Sequence, residues 1–200
     1  CDRRQRQMCI RDRYIDENKK GFSFRNYKEY LLVGGGAHKT GTNKGGYRVL
    51  EDFAAQKYPD KEISFAWAAQ DCMTLDGIPY IGRHSRTHSE VYVATGFNKW
   101  GMTGAMSAAI VLQQFVAKGK SEYGELFSPK RSIAHPQLVV NLASAVGNIL
   151  RPGRRCTHMG CALQWNSEER SWDCPCHGSR FTEGGEVLEN PAKRKKKIKD

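Results

Sequence analysis

"CTHMGC" (156–161) and "CPCHGS" (174–179) hold four of the seven cysteines and two of the six histidines in this chain. Set out by spacing they read Cys156-x-His158, fifteen intervening residues, then Cys174-x-x-His177. Each loop can offer one thiolate and one imidazole to a common centre, and those four ligands alone would satisfy a tetrahedral zinc ion. A zinc reading leaves Cys161 and Cys176 unexplained, although they stand at matching places in the two loops and could bridge them. Cysteines clustered with histidines at ligand spacing are not the spread-out pattern of a disulfide framework.

The rest of the chain bounds what such a centre can serve. Two hundred residues accommodate one large domain or two small ones. With 39% apolar, 10% aromatic and 26% charged residues there is material for a core, which excludes wholesale disorder. The net charge of +11 is uneven, crowded into the first thirteen residues and into "KRKKKIKD" (193–200). These read as solvated ends, since nothing else resembles a nucleic-acid reader. No signal peptide opens the chain, and the apolar run "QLVVNLASAVGNIL" (137–150) is too short to span a bilayer. The expectation is a cytoplasmic protein with no membrane span and no nucleic-acid partner. Residues 1–20, with Cys1 and Cys9, read as an unstructured or artefactual leader. There is no initiating Met, "QMCIRDR" resembles translated sequencing adaptor, and the chain reads as the C-terminal part of something longer.

Along the chain, "EYLLVGGGAHKTG" (29–41) reads as a strand entering a Gly-rich turn, and "YRVLEDFAAQKYP" (47–59) as a helix stopped by Pro59. "ISFAWAAQ" (63–70) reads as a strand, "LDGIPYIG" (75–82) as a turn with a short extended piece, and "VYVATG" (91–96) as a buried strand. The clearest helix is "MTGAMSAAIVLQQFVAKG" (102–119), closed by Lys-Gly. A connector at 128–137 leads to a short helix ending at Leu150, and from Arg151 the texture changes to Gly, Pro, Cys and His with short strands.

Two thiolates on one iron, two imidazoles on the other and a bridge between the loops is the arrangement of a Rieske [2Fe-2S] centre. The two boxes closely resemble that family's C-x-H-x-G-C and C-P-C-H-G-S. The resemblance implies Cys156, His158, Cys174 and His177 as ligands and Cys161–Cys176 as the disulfide. It also implies that Ser179 donates a hydrogen bond to a cluster sulfur. Neutral imidazoles make the reduced state less costly than thiolates would, and so raise the potential. High-potential members carry a Tyr two positions after that Ser. Here Phe181 stands in its place, which predicts a lower potential than in the respiratory-complex relatives. Only fifty residues follow from Arg151, about half the usual domain, so the module is expected to lean on its neighbour.

Upstream, "LDGIPYIG" followed by "VYVATGFNKWGMT" and a long small-residue helix resembles the C-terminal half of flavin oxidoreductases of the D-amino-acid-oxidase (glycine oxidase-like) superfamily. A subgroup with a C-terminal Rieske domain carries both pieces in this order, and the shortened module is similar to clostridial members. By that resemblance Gly96, Gly101, Met102 and Thr103 contact FAD, the glycines by close backbone approach and the helix start by its N–H groups. The G-x-G-x-x-G fingerprint is absent, so FAD would need an N-terminal half not included here. Gly34–Gly36 and His38 fit near the substrate domain's sheet, but the stretch lacks phosphate-loop spacing. No residue stands out as a catalytic acid or base; His84, His88 and Asp76 read as loop and turn residues.

The fold class expected is α+β: a partial flavoenzyme α/β region, then a small all-β Rieske-like module. The divisions are 1–20 leader, 21–131 flavoenzyme part, 132–152 linker with a short helix, 153–192 Rieske module and 193–200 basic tail. The activity implied is FAD-linked oxidation of an amine or amino-acid-like small molecule, coupled through the cluster to a redox partner protein of unknown identity. The alternative is a zinc-stabilised or cluster-carrying module without its own turnover.

Overall fold

The computed structural model describes residues 13–16, 21–42, 46–85, 87–88 and 90–195. The described chain is α+β and forms two compact units, one built from residues up to Ala68 together with those from Asn148 onward, the other from Ala69–Gly147. Most of the expected leader, including Cys1 and Cys9, lies outside the described residues, as do 196–200 of the basic tail.

The first unit opens with an antiparallel meander of β1 (Arg13–Ile15), β2 (Ser23–Tyr27) and β3 (Tyr30–Gly34). Tyr27 pairs with Tyr30, so the β2–β3 turn has two residues, and Lys28 takes the positive φ of 52° that so tight a turn needs. Helix α1 (Tyr47–Lys57) follows the Gly-rich stretch. Its Phe53 stacks on Phe22 at 4.5 Å and tilts against Phe24 at 5.6 Å, which holds the helix on the sheet. The expected strand at 63–70 does not form. Ile63, Phe65 and Trp67 are exposed, and no described strand pairs with them. The alternation is real, but strand geometry needs a partner for the backbone as well as a pattern.

The same unit is completed by a four-stranded antiparallel sheet in sequential order: β6 (Gln164–Asn166), β7 (Ser171–Asp173), β8 (Arg180–Thr182) and β9 (Val187–Glu189). Trp165, Trp172 and Phe181 occupy one cross-strand row, the two indoles 5.0 Å apart. Phe181 belongs to a small core with Cys156, Cys161, Leu163, Cys174 and Ala192, against which Trp172 packs. The earlier residues touch this module directly: Tyr47 N–H donates to the Glu168 carboxylate at 2.8 Å, and a side chain at Gly41 would run into Pro175.

In the second unit, hairpin β4 (Tyr80–Arg83) with β5 (Tyr92–Thr95) packs beneath helix α2 (Gly101–Lys118). Ile81, Ala108 and Val111 are the buried centre, ringed by Ala94, Phe97, Leu112, Phe115 and Phe127. Strand β5 is half-buried, not buried as its apolar run suggests, because the helix covers only one of its faces. Gly119 closes α2 in the left-handed conformation, its N–H bonded to Phe115 O at 2.9 Å. Arg131 clamps the 75–79 turn. It bonds both Asp76 oxygens (2.6 and 2.8 Å) and the carbonyls of Ile78 and Pro79, and stacks 3.8 Å over Tyr80. Helix α3 (Pro136–Leu150), whose last three residues are counted with the first unit, is fifteen residues long and buries none of them. Among the described residues no helix is long and apolar enough to cross a membrane.

Candidate metal centre

The two cysteine loops are built to one hydrogen-bond plan. In the first, Cys156 N–H bonds Cys161 O (2.8 Å) and Gly160 N–H bonds Cys156 O (3.0 Å). In the second, Cys174 N–H bonds Ser179 O (2.8 Å) and Gly178 N–H bonds Cys174 O (3.0 Å). The fifth residue of each loop must turn left-handed, and Gly160 and Gly178 do so at φ 74° and 80°. Both loops therefore project a buried cysteine at their base and an exposed histidine at their tip. The His158 and His177 rings meet edge to face, centroids 5.1 Å apart.

A disulfide joins Cys161 to Cys176 and ties loop to loop. The sulfurs of Cys161, Cys174 and Cys176 lie within 4.8 Å of one another. Two of these are spent on the disulfide, so this trio is not a ligand set. The groups with donors to give are the free thiols Cys156 and Cys174 and the two imidazoles. Two thiolates and two imidazoles are the donor set of a mixed-ligand [2Fe-2S] cluster. The residues fit that group.

Hydrogen bonding prepares the thiols. The Cys156 thiol is drawn below the ordinary thiol range, first by a hydrogen bond from Cys174, against the opposing effect of burial, and further by the His158 N–H, the Ser179 hydroxyl and the Met159 N–H. Cys174 shifts upward, because it holds the proton that Cys156 accepts and because it is buried. Metal binding must expel that shared proton. Ser179 is fully buried, and its Oγ accepts the Ala192 N–H at 3.0 Å. That bond occupies a lone pair and leaves the hydroxyl proton for sulfur.

Behind the loops lies a buried ionic network that the residue pattern does not announce. Arg180 is 6% exposed and bonds Asp173 (3.1 Å), Glu169 (3.2 Å), Glu189 (3.3 Å) and Ser171 Oγ (3.0 Å). Asp173 also accepts from Ser171 Oγ at 2.7 Å and Asn166 Nδ2 at 3.1 Å. One guanidinium on β8 thus ties β7, β9 and the β6–β7 turn together, and Asn166 joins β6 to the network through Asp173. A signal was available in sequence: Asp173 and Arg180 flank the C-P-C-H-G-S box symmetrically.

The flavin-side residues are placed separately. Gly96 has φ 71°, and a side chain there would collide with Thr74, so its freedom serves the local turn. At Gly101 nothing stands within 4 Å of where a Cβ would be. Met102 is 82% exposed, and no side chain caps the start of α2. An uncapped helix end with an open glycine face fits the approach of a flat anionic cofactor. His88 is engaged locally by Thr87 and Ser85, and His38 by the Gly36 carbonyl. Asp76 is held well below the usual carboxylate range, chiefly by its bond from Arg131.

Comparisons with known proteins find two families along the chain. The family model described as FAD dependent oxidoreductase matches residues 2–114, and that of the Rieske [2Fe-2S] domain matches 117–199. The Bacillus subtilis (strain 168) protein YhfW, whose name places it among Rieske 2Fe-2S iron-sulfur proteins, is 34% identical over 84% of this chain and 42% of its own length. The cytochrome b6-f complex iron-sulfur subunits of Synechococcus sp. (strain JA-3-3Ab) and Nostoc punctiforme are 49% and 51% identical over 20% and 18% of the chain, and over 23% and 21% of their own lengths. The chain thus spans about two fifths of the first relative and under a quarter of the others. No solved structure matches it.

Proposed function

Because the chain belongs to the FAD dependent oxidoreductase family and carries a Rieske [2Fe-2S] domain, we propose that it is the electron-transferring part of a flavoenzyme oxidising an amine or amino-acid-like substrate. The observation that carries the electron-transfer half is the donor set: two free buried thiols, two exposed imidazoles and a disulfide between their loops. When bound, FAD handles electrons in pairs and the cluster one at a time, so together they link two-electron oxidation to a one-electron carrier. Cys156 and Cys174 would hold one iron, and His158 and His177 the other. Ser179 donates toward sulfur and stabilises the extra negative charge of the reduced state. Phe181, buried in one cluster with Cys156 and Cys174, supplies no hydroxyl. Gly101, Met102 and Thr103 would offer backbone N–H groups to the flavin. The amine-like substrate rests on family analogy alone.

The test is the EPR spectrum of dithionite-reduced protein, with iron and sulfide measured on the same sample. A mixed His/Cys cluster signal with two irons per chain is expected. A silent spectrum with one zinc per chain would overturn the electron-transfer reading and leave a structural metal module.

A further inference from the structure

The basic run that composition assigns to a solvated end begins on top of the candidate centre. Ala192 N–H is bonded to Ser179 Oγ, which closes the second loop two residues after His177. The carbonyl of Arg194 accepts from Thr157 Oγ1 at 2.7 Å, and Thr157 is the neighbour of His158 in the first loop. Residues 192–194 therefore cross from one loop to the other, with Lys193 and Arg194 carried at and between the two anchors. Both side chains are exposed, as are His158 and His177. Among the described residues no carboxylate pairs with Lys193 or Arg194. The nearby acids are engaged elsewhere: Glu186 with Lys195, Glu183 with Arg170, and Glu189 with Arg180.

We propose that this strap and the two histidine tips form the docking surface for a small acidic one-electron carrier protein. The proposal rests on the reading of the loops as a redox centre and adds the class of its partner. Exposed cations at the rim of a redox site attract an acidic partner over about one Debye length, roughly 10 Å at 0.1 M salt, and orient it on approach. Placement argues for a redox protein over a nucleic acid or an anionic membrane. A polyanion needs only free basic residues, whereas here backbone bonds fix two of them across the loops that carry the histidines.

The test uses the full chain with its cluster content established by EPR. Binding of an acidic plant-type ferredoxin is measured by calorimetry at low and at physiological salt. Basic cytochrome c, phosphatidylglycerol vesicles and duplex DNA serve as comparison probes. The expected result is ferredoxin binding that weakens about tenfold with salt, and a further loss of about tenfold in the K193E/R194E variant with its EPR signal intact. K118E/K120E, which alters lysines in the other unit, should bind as wild type. Equal binding by K193E/R194E and wild type would overturn the proposal, as would cytochrome c binding as tightly as ferredoxin. Binding to vesicles or DNA but not to ferredoxin would overturn it too. An absent cluster signal would instead sink the redox reading itself.

Discussion

Ile81, Ala108 and Val111 hold the unit spanning 69–147 together by apolar contact between a helix and a hairpin. The module around Cys156 and Cys174 has four strands of three residues each, a length at which side-chain pattern alone hardly specifies a sheet. It is fixed by cross-links: the disulfide, the Arg180 network and the bonds that its loops and strap make to one another. A module of short strands that cannot bury enough surface is stapled, while a long helix on a hairpin is packed.

The difference can be attacked from either side. Arg180→Leu should have the largest effect, because it strands Asp173, which is 4% exposed, among further carboxylates. A loss of roughly 3–5 kcal/mol is expected for the first unit, read by chemical denaturation, with α2 and its hairpin unaffected. If both units weaken together, the division by means of stabilisation is wrong. Replacing Cys161 and Cys176 with Ser opens a loop whose ends are 15 residues apart and should cost about 3 kcal/mol, again in that unit alone.

Phe181→Tyr sharpens the comparison on the functional side. A hydroxyl that reaches a ligand sulfur should raise the midpoint potential by about 40 mV, the one-electron equivalent of about 1 kcal/mol. An unchanged potential would show that the ring edge does not face sulfur. The smallest effect belongs to the packed unit. Asp76 is depressed by Arg131, so its contribution is fully present above the unfolded carboxyl pKa and is lost as pH falls through the folded one. Below about pH 4 the wild-type unit should lose melting temperature that Asp76→Asn has already lost. Parallel melting curves for the two proteins would remove the ion pair from the account.

The cluster loops were legible because metal chemistry constrains residue type and spacing together: two Cys, two His and a Gly at the fifth place of each loop. Helices α1 and α2 were legible from their apolar spacing and from the Pro and Gly that end them. The Arg180 network was hidden because an arginine in a polar stretch reads as surface until its carboxylates are brought around it. The strap was hidden because its anchors are backbone groups, which no residue pattern records. The stretch at 63–70 misled because alternation is a local property and pairing is not.

Tyr47 and Glu168 are hydrogen-bonded across 121 residues of chain. On a ribosome adding about 5–20 residues per second, the meander and α1 would emerge roughly ten seconds before the turn that Tyr47 bonds. The residues of 69–147 meet nearly all their partners within that interval. Synthesis thus favours an order in which the inserted unit closes first, while the meander and α1, already joined through Phe22, Phe24 and Phe53, wait for the module that Tyr47 bonds.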